Sequence, residues 1–323
     1  MWTAQNWFER NSKKTMVVTV LLATILVDLL IGFIFLKKIP GTFHPYYHHG
    51  YKKYMALRAN WGIGEYMFYT NSLNMRDRYQ REVPLKANKY RILFIGDSFT
   101  EGVGVPYEKT FVGLVEQQKN RSQVEVLNAG VLSYSPKLYY LRLKYLLEKE
   151  KLHINEVFVF IDISDIQDEI LYEQFVSLFQ TPFLKQIDFY LRKVSFFYYQ
   201  VRMKILNYRT KANILKILQR TKSVQSKDVQ QKMFAQLSLG TFSKQYYKER
   251  AKWTYDQHAF LAWGKKGVRL AEGNMEKLVN LCRINKIKLN IAVYPWPDQI
   301  RNREIKSRQI TIWQDFAERH AEV

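Results

Sequence analysis

The apolar run from Thr15 to Leu36 is the feature that most constrains the fold. At ~1.5 Å of rise per residue, a helix over this run is long enough to cross the core of a bilayer. Lysines flank it on both sides and no small-residue cleavage site follows, so we expect an uncleaved membrane anchor over residues 15–38, behind a tail over residues 1–14. The alternative is a buried helix of a soluble core. Asp28, near the middle, costs roughly 2.5–3.5 kcal/mol on insertion, which the surrounding Leu, Ile and Val residues outweigh.

Positive charge is concentrated in one part of the chain. The protein carries 50 Lys and Arg against 29 Asp and Glu, a formal net charge of +21. Residues 183–255 hold 16 of these basic residues and 3 of the acidic ones, so this segment carries +13. Aromatic and basic residues are interleaved there, which predicts amphipathic helices, either with solvated basic faces or lying on anionic lipid or glycan. No nucleic-acid-binding motif accompanies the charge, so nucleic acid is not expected as a partner.

The segment between the anchor and the first clear strand, residues 39–89, shows no strong periodicity and is predicted to be irregular and close to the membrane. It contains His44, His48 and His49, but no Asp or Glu lies among them, so an interfacial loop is favoured over a metal site. Cys282 is the sole cysteine, which excludes an internal disulfide and a Cys/His metal motif. We expect no metal and no organic cofactor.

Four short apolar runs alternate with helical patterns in the rest of the chain. The predicted strands are Tyr90–Ile95, Val124–Gly130, Glu156–Ser164 and Ile287–Pro295. The predicted helices between them are Tyr107–Lys119, Pro136–Leu152 and Gly267–Asn285. Strands that alternate with helices predict an α/β domain with a mainly parallel sheet, which spans residues 90–323 and has 183–255 as a long helical insertion.

The segment IGDSFTEGVGV, from Ile95 to Val105, is the strongest chemical signal. Ligands bind at the carboxyl ends of parallel strands, so Ser98 is expected at the mouth of a site. A serine becomes an effective nucleophile when a base takes its proton and hydrogen-bond donors receive the oxyanion. The same spacing also fits a capping box, in which Ser98 and Glu101 cap a helix and do no chemistry. Spacing does not separate these two interpretations.

The segment GDSFTEG resembles the first signature block of the SGNH (GDSL-like) hydrolases, and NAGVLSYSP, around Gly130, resembles the second. FIDISDIQDE, from Phe160 to Glu169, occupies the place of the third block, and TNSLNMRD and YPWP resemble segments of membrane-linked bacterial members. The resemblance implies a flavodoxin-like three-layer sandwich and ester hydrolysis or acyl transfer. It assigns the nucleophile to Ser98 and oxyanion donors to the backbone N–H groups of Ser98 and Gly130. Four further residues are placed next to the site: Asp97, Asn128, Asp162 and Asp165.

The third block departs from the family pattern. Asp162 stands where the pattern has Gly, and Ser164 stands where it has the Asn that donates to the oxyanion. A serine hydroxyl can donate one hydrogen bond, so Ser164 is a third candidate oxyanion donor. Ser164 and Gln167 also fit an S-x-x-Q capping box, and we expect the capping role to dominate.

The family's last block, D-x-x-H, supplies the base and its orienting carboxylate, and this sequence contains no D-x-x-H. We expect that pair to lie beyond Val323. The alternatives are an inactive protein, or substitution by His258 or His320. The nearest carboxylates to these histidines, Asp256 and Asp315, are out of the D-x-x-H register.

These features together predict a single-pass, membrane-anchored serine esterase or O-acyl transferase. The resemblance suggests a bacterial cell envelope, a hydrolase domain outside the cytoplasm and an acylated glycan as the ester substrate. Basic residues on both sides of the anchor leave its orientation open. The competing hypothesis is a catalytically degenerate protein that keeps the scaffold to bind glycan or to brace an assembly. A third hypothesis, a lipid-directed esterase, rests on the basic insertion.

Overall fold

A computed structural model describes residues 10–36, 39, 41–86, 88–119, 123–180, 183–220, 250–301, 303–304 and 306–320. The chain divides into two compact units. One is formed by residues 1–40 and 181–208, and the other by residues 41–180 and 209–323.

Helices and strands follow one another along the chain, with the parallel strands separated by helices. In chain order they are α1 (Ser12–Phe35), β1 (Gly41–His44), β2 (His48–Tyr51), β3 (Ala56–Trp61), β4 (Gly64–Thr70), β5 (Arg76–Asp77), β6 (Tyr90–Ile95), α2 (Ser98–Glu101), α3 (Phe111–Gln118), β7 (Val124–Asn128), α4 (Pro136–Glu148), β8 (Glu156–Ile161), α5 (Asp165–Tyr172), α6 (Phe183–Val194), α7 (Phe196–Arg220), α8 (Gln257–Ala259), α9 (Lys265–Ile284), β9 (Lys288–Val293), α10 (Pro297–Arg301) and α11 (Arg308–Arg319). Single 3-10 turns lie at Tyr107–Lys109 and Lys252–Thr254, and a π-helical turn at Phe260–Gly264 leads into α9.

The first unit contains α1 and the helices α6 and α7. α1 is long and apolar enough to cross a membrane, and most of its side chains are exposed in the isolated chain. Residues 15–35 of the predicted anchor therefore form a continuous helix, and residues 37 and 38 lie outside the described part of the chain. α6 and α7 confirm that the start of the basic insertion is helical, while residues 221–249 of that insertion lie outside the described part of the chain.

The second unit is built on a seven-stranded mixed sheet with strand order β3-β4-β5-β7-β6-β8-β9. Its half from β7 to β9 is parallel, and β3, β4 and β5 add to it in antiparallel fashion. The four strands predicted from apolar runs are the four parallel strands. Each ends earlier than predicted or at the same residue, because the residues after the strand turn away into the loops at the sheet's carboxyl edge.

The prediction that residues 39–89 are irregular is wrong. Five strands lie there, and three of them extend the sheet. β3 is exposed along nearly its whole length, so it lacks the alternation of apolar and polar residues that marks a half-buried strand. The hairpin between β3 and β4 turns through Gly62 and Gly64, whose φ angles of +70° and +118° suit glycine. These two glycines are the sequence signal for the hairpin.

Both faces of the sheet are covered. Along β6, Leu93 and Ile95 belong to the larger core, on the side of α4, α5 and α9. Ile92 and Phe94 point the other way, into a smaller core with Val112 of α3. A strand that is buried on both faces reads as a continuous apolar run, which is why these strands were visible in the sequence.

Candidate active site

The carboxyl ends of the four parallel strands meet at one edge of the sheet, and each leads into a loop that carries glycine or hydrogen-bonding side chains. β6 leads into Gly96–Ser98, β7 into Gly130, β8 into Asp162–Asp165, and β9 into Tyr294–Trp296. After β6 the chain passes to β7 on one side and later to β8 on the other. The crevice at such a point of reversal is where open α/β sheets bind ligands.

Asp97, rather than Ser98, is the N-cap of α2. Its Oδ1 accepts a hydrogen bond from the N–H of Phe99 at 2.9 Å. Ser98 is the first residue of the helix, its side chain is half-buried, and its Oγ lies 3.3 Å from Oδ2 of Asp97. The carboxylate of Glu101 binds elsewhere, so the S-x-x-E capping box is not formed. The capping interpretation of Ser98 is therefore wrong, and its hydroxyl is not committed to the helix terminus.

Glu101 ties α2 to two other segments of the domain. Its Oε1 accepts from the hydroxyl of Tyr51 at 2.8 Å, and its Oε2 accepts from the N–H of Leu132 at 2.6 Å. Burial raises the pKa of Glu101 to about 7, against the opposing effects of the Tyr51 hydrogen bond and the Arg76 charge. The residue thus joins β2, α2 and the loop after β7.

Arg76 holds the loop that follows α2. Its Nη1 donates to the carbonyl oxygens of Glu101 and Gly102, each at 2.5 Å, and its Nη2 donates to that of Val105. The side chain is almost completely buried. Arg76 belongs to the TNSLNMRD segment. The resemblance of that segment to membrane-linked hydrolases assigned no role to Arg76, so sequence analysis missed this function.

Three buried carboxyl groups cluster beside Ser98. Oxygens of Asp97, Asp162 and Asp165 all lie within 4.8 Å of one another. Burial, and next the charge of Asp162, raise the pKa of Asp97 to about 8. Burial also raises the pKa of Asp165, with the charges of Asp97 and Asp162 adding to the effect. Close carboxyl groups in a dry site share protons because they cannot all ionise.

Each of these carboxyl groups also accepts a hydrogen bond from an aromatic side chain. The Tyr294 hydroxyl donates to Asp97 at 3.1 Å, the Trp296 indole N–H to Asp162 at 2.7 Å, and the Tyr139 hydroxyl to Asp165 at 2.7 Å. The spacing of the three carboxyls would also suit a metal ion, but neutral donors already satisfy one oxygen of each. Tyr294 and Trp296 come from YPWP, the segment that the sequence marked only by resemblance.

Gly130 packs against the backbone of α2. A Cβ atom at this position would lie 2.4 Å from the nitrogen of Glu101 and 2.7 Å from the carbonyl carbon of Thr100. The N–H of Gly130 donates to Oδ1 of Asn128 at 3.0 Å, and Nδ2 of Asn128 donates to the oxygen of Thr100 at 2.8 Å. Gly130 thus permits close approach of β7 to α2, and its N–H would have to exchange partners before it could bind an oxyanion.

Ser133, which sequence analysis did not single out, has an unusual backbone conformation. It lies in the turn after Gly130 with a φ of +60°, a left-handed conformation that is uncommon for residues other than glycine. The neighbouring N–H groups are held, that of Leu132 by Glu101 and that of Tyr134 by the oxygen of Val131. Within the part of the chain that the structure describes, the N–H of the half-buried Ser133 makes no such bond to the backbone. A left-handed backbone at functional sites is a known form of stored strain.

The prediction that Ser164 acts mainly as a capping side chain is wrong. Ser164 occupies the N-cap position of α5, yet its side chain forms no capping hydrogen bond. Its own N–H donates instead to Oδ1 of Asp162 at 2.7 Å. The N–H groups of Gln167 and Asp168 donate to the carbonyl oxygen of Ser164 rather than to its hydroxyl. Ser164 is 3% exposed, so its hydroxyl is poorly placed to meet a substrate.

No histidine ring forms a hydrogen bond with the Ser98 hydroxyl in the part of the chain that the structure describes. Asp256 uses its carboxylate to cap α8 through the N–H of Ala259, and the ring of His320 packs on Phe316. Neither predicted substitute pair is therefore assembled. His49 reaches the loop after β7, with Nε2 2.8 Å from the oxygen of Leu132, and burial lowers its pKa.

A scan of the chain against protein-family models found no match. A comparison with curated proteins also found none.

Proposed function

We propose that this chain is a membrane-anchored serine esterase or O-acyl transferase of SGNH type, with a flavodoxin-like hydrolase domain and Ser98 as its nucleophile. One observation carries the proposal. Asp97 caps α2, so the hydroxyl of Ser98 is left half-buried at the carboxyl end of the central parallel strand, free of a capping role.

The chemistry would run through Ser98 and the amide groups around it. The Ser98 oxygen attacks an ester carbonyl, and the negative charge that develops on the carbonyl oxygen needs donors preorganised in the crevice. The proposed donors are the backbone N–H of Ser98 and, after a change of partner, that of Gly130. A base must take the Ser98 proton, and the described residues bring no imidazole to it, so the proposal requires a base from outside them.

The substrate class follows from the resemblance and from the anchor. An ester on an acylated glycan of the cell envelope would reach a domain that is held at a membrane and outside the cytoplasm. The partners of the protein would then be that ester and, through residues 15–38, membrane lipid.

A fluorophosphonate probe tests the proposal on the full-length gene product in its own membranes. The wild type and a Ser12→Ala variant, altered at an exposed serine at the start of α1, should be labelled. Ser98→Ala should not be labelled. Absence of wild-type labelling, while other serine hydrolases in the same membranes react, would refute the proposed serine hydrolase activity.

A catalytically silent scaffold protein is the second candidate. Three observations favour it: the Gly130 N–H is engaged by Asn128, Ser164 is buried, and no described imidazole reaches Ser98. On this alternative the crevice binds glycan without cleaving it. Glycan retention by the wild type and by Ser98→Ala to the same extent, with no probe labelling of either, would establish the scaffold.

A further inference from the structure

Asp28 of α1 caps another helix. Its Oδ1 accepts a hydrogen bond from the N–H of Phe197 at 2.8 Å, and Phe197 is the second residue of α7. Between Thr15 and Leu36, Asp28 is the single charged residue. The free N–H groups at a helix start carry partial positive charge, so a carboxylate there is stabilised. The Asp28 carboxylate, which is costly to insert into a bilayer, therefore has a specific hydrogen-bond partner, the N–H of Phe197.

Two further contacts lie on the same face of α1. Gly32 is its buried residue, and a Cβ atom there would come within 2.1 Å of the Val194 oxygen. The ring of Phe35 lies 5.8 Å from that of Phe196. Asp28, Gly32 and Phe35 are spaced i, i+4 and i+7, which is one stripe of a helix. The turn between α6 and α7 thus packs along a stripe of α1.

The position of this stripe fixes how far the turn reaches along α1. Asp28 precedes Phe35, the last residue of α1, by two turns, or ~10 Å at 1.5 Å per residue. If α1 spans a bilayer, the α6–α7 turn must lie at about the same distance inside its carboxyl-terminal end. Amphipathic helices at membrane surfaces typically bury their apolar face by ~5–10 Å.

The surface of the two helices suits this depth. Large apolar side chains are exposed along them, including Tyr190, Phe197, Val201 and Ile205. Residues 181–208 carry five Lys and Arg against one acidic residue, Asp188. That carboxylate joins the two helices: it accepts a hydrogen bond from the Tyr198 hydroxyl at 2.7 Å and pairs with two arginines, Arg192 and Arg202. Lys193 and Lys204 remain exposed.

We propose that α6 and α7 form a lipid-embedded hairpin, docked on α1 through Asp28. Its turn lies among the acyl chains of the leaflet that holds the carboxyl-terminal end of α1. Lys204, two turns along α7 from Phe197, lies at the level of anionic headgroups, and Lys193, next to the turn, extends its long side chain toward them. The occupant of the exposed apolar face is therefore the bilayer itself. The inference is independent of any activity at Ser98.

Spin-label depth measurement tests the hairpin in the full-length chain, reconstituted in vesicles of neutral and anionic phospholipid. Labels are placed by Phe197→Cys in the hairpin, by Leu22→Cys in α1 and by Ile284→Cys, an exposed position of α9. The native Cys282 is buried. We expect the Phe197 label to collide with oxygen as the Leu22 label does, and to be shielded from a water-soluble nickel chelate. A Phe197 label as open to the chelate as the Ile284 label would overturn the proposal, as would a Leu22 label in water.

Two substitutions of Asp28 test the docking contact. Asp28→Asn keeps an oxygen acceptor for the Phe197 N–H and should leave the label depth unchanged. Asp28→Leu suits lipid better but removes the acceptor, and should shift the hairpin toward the undocked state by about fivefold, the usual effect of one N-cap. A double-label distance between Ile34→Cys and Tyr190→Cys reports that shift. An unaltered distance distribution in Asp28→Leu would show that Asp28 does not hold the hairpin.

Discussion

The hydroxyl of Ser98 lies 3.3 Å from Oδ2 of Asp97, the carboxyl group that also caps the helix beginning at Ser98. One side chain therefore orients the candidate nucleophile, terminates its helix and belongs to the buried carboxyl cluster. Its Oδ1 accepts from the N–H of Phe99 and from the hydroxyl of Tyr294. Changes in the protonation of Asp97 should consequently be felt at Ser98.

The raised pKa of Asp97 predicts a particular pH dependence of stability. An Asp carboxyl titrates near 3.9 in an unfolded chain and at about 8 in this fold. Between these values the folded state holds the extra proton, so ionisation of Asp97 opposes folding as the pH rises. Asp97→Asn removes that titration and keeps an acceptor for the cap. We expect the variant to match the wild type near pH 5 and to be more stable than it near pH 8.

Thermal unfolding of the full-length protein in detergent at pH 5, 6.5 and 8 measures this difference. Glu101, whose pKa burial raises to about 7, is present in both proteins and drops out of the comparison. The pKa of Asp165 is raised in part by the charge of Asp97, so loss of that charge adds to the difference in the same direction. A difference in Tm that stays constant, or that falls as the pH rises, would contradict the raised pKa of Asp97.

The contact between Gly130 and α2 predicts a second result. Gly130→Ala places a methyl group 2.4 Å from the Glu101 nitrogen, so α2 must move. We expect a loss of ~1–3 kcal/mol in the free energy of unfolding, as for other overpacked sites. Gly273→Ala is the matched control, because nothing lies within 4 Å of its Cβ position in α9. It should add about 1 kcal/mol through helix propensity.

Chemical denaturation of both variants gives the comparison. Equal stability of Gly130→Ala and Gly273→Ala would mean that β7 and α2 are not in close contact. Loss of fluorophosphonate labelling in a folded Gly130→Ala would in addition link this contact to the reactivity of Ser98.

The parallel half of the sheet could be predicted because its strands are buried on both faces. Tyr90–Ile95 is a continuous apolar run, and so are its neighbours. β3 and β4 could not be predicted from periodicity, because β3 is largely exposed and its pairing with β4 is specified by backbone hydrogen bonds through the Gly62 turn. Backbone pairing leaves no trace in apolar spacing.

The convergence of Asp97, Gly130 and Asp162 could be predicted, since strand ends of a parallel sheet share an edge. The residue that caps α2 could not be predicted. Aspartate and serine are about equally good N-caps, so GDS has two candidates one residue apart. The contact of Arg76 with the carbonyls after α2 joins segments 25 residues apart, and local patterns carry no information about such pairs.

Arg76 is predicted to be a main support of the loop after α2. Arg76→Met would leave three carbonyl oxygens without their donor, at a cost of about 3 kcal/mol in the free energy of unfolding. The control is Arg319→Met, which removes an ion pair with Glu272 from a side chain that is 55% exposed. Such a surface pair contributes less than ~1 kcal/mol. Denaturation midpoints and the rate of proteolysis within residues 98–105 distinguish the two, and equal effects would reject the role of Arg76.

Tyr294 should contribute most to stability when Asp97 is ionised. Its hydroxyl lowers the pKa of Asp97 by donating to the carboxylate, against the larger effect of burial. Tyr294→Phe keeps the ring beside Phe99, whose centroid is 5.0 Å away, and removes the donor. The loss of one hydrogen bond to a charged acceptor is worth about 1.5–3 kcal/mol. We therefore expect the variant to be less stable than the wild type above pH 8, with a smaller deficit near pH 6, where Asp97 holds its proton.

Tyr79→Phe, at an exposed tyrosine, should show no such change with pH. Because packing lost with the hydroxyl would cost the same at every pH, a deficit that does not grow with pH would assign Tyr294 to packing and remove it from the carboxyl cluster.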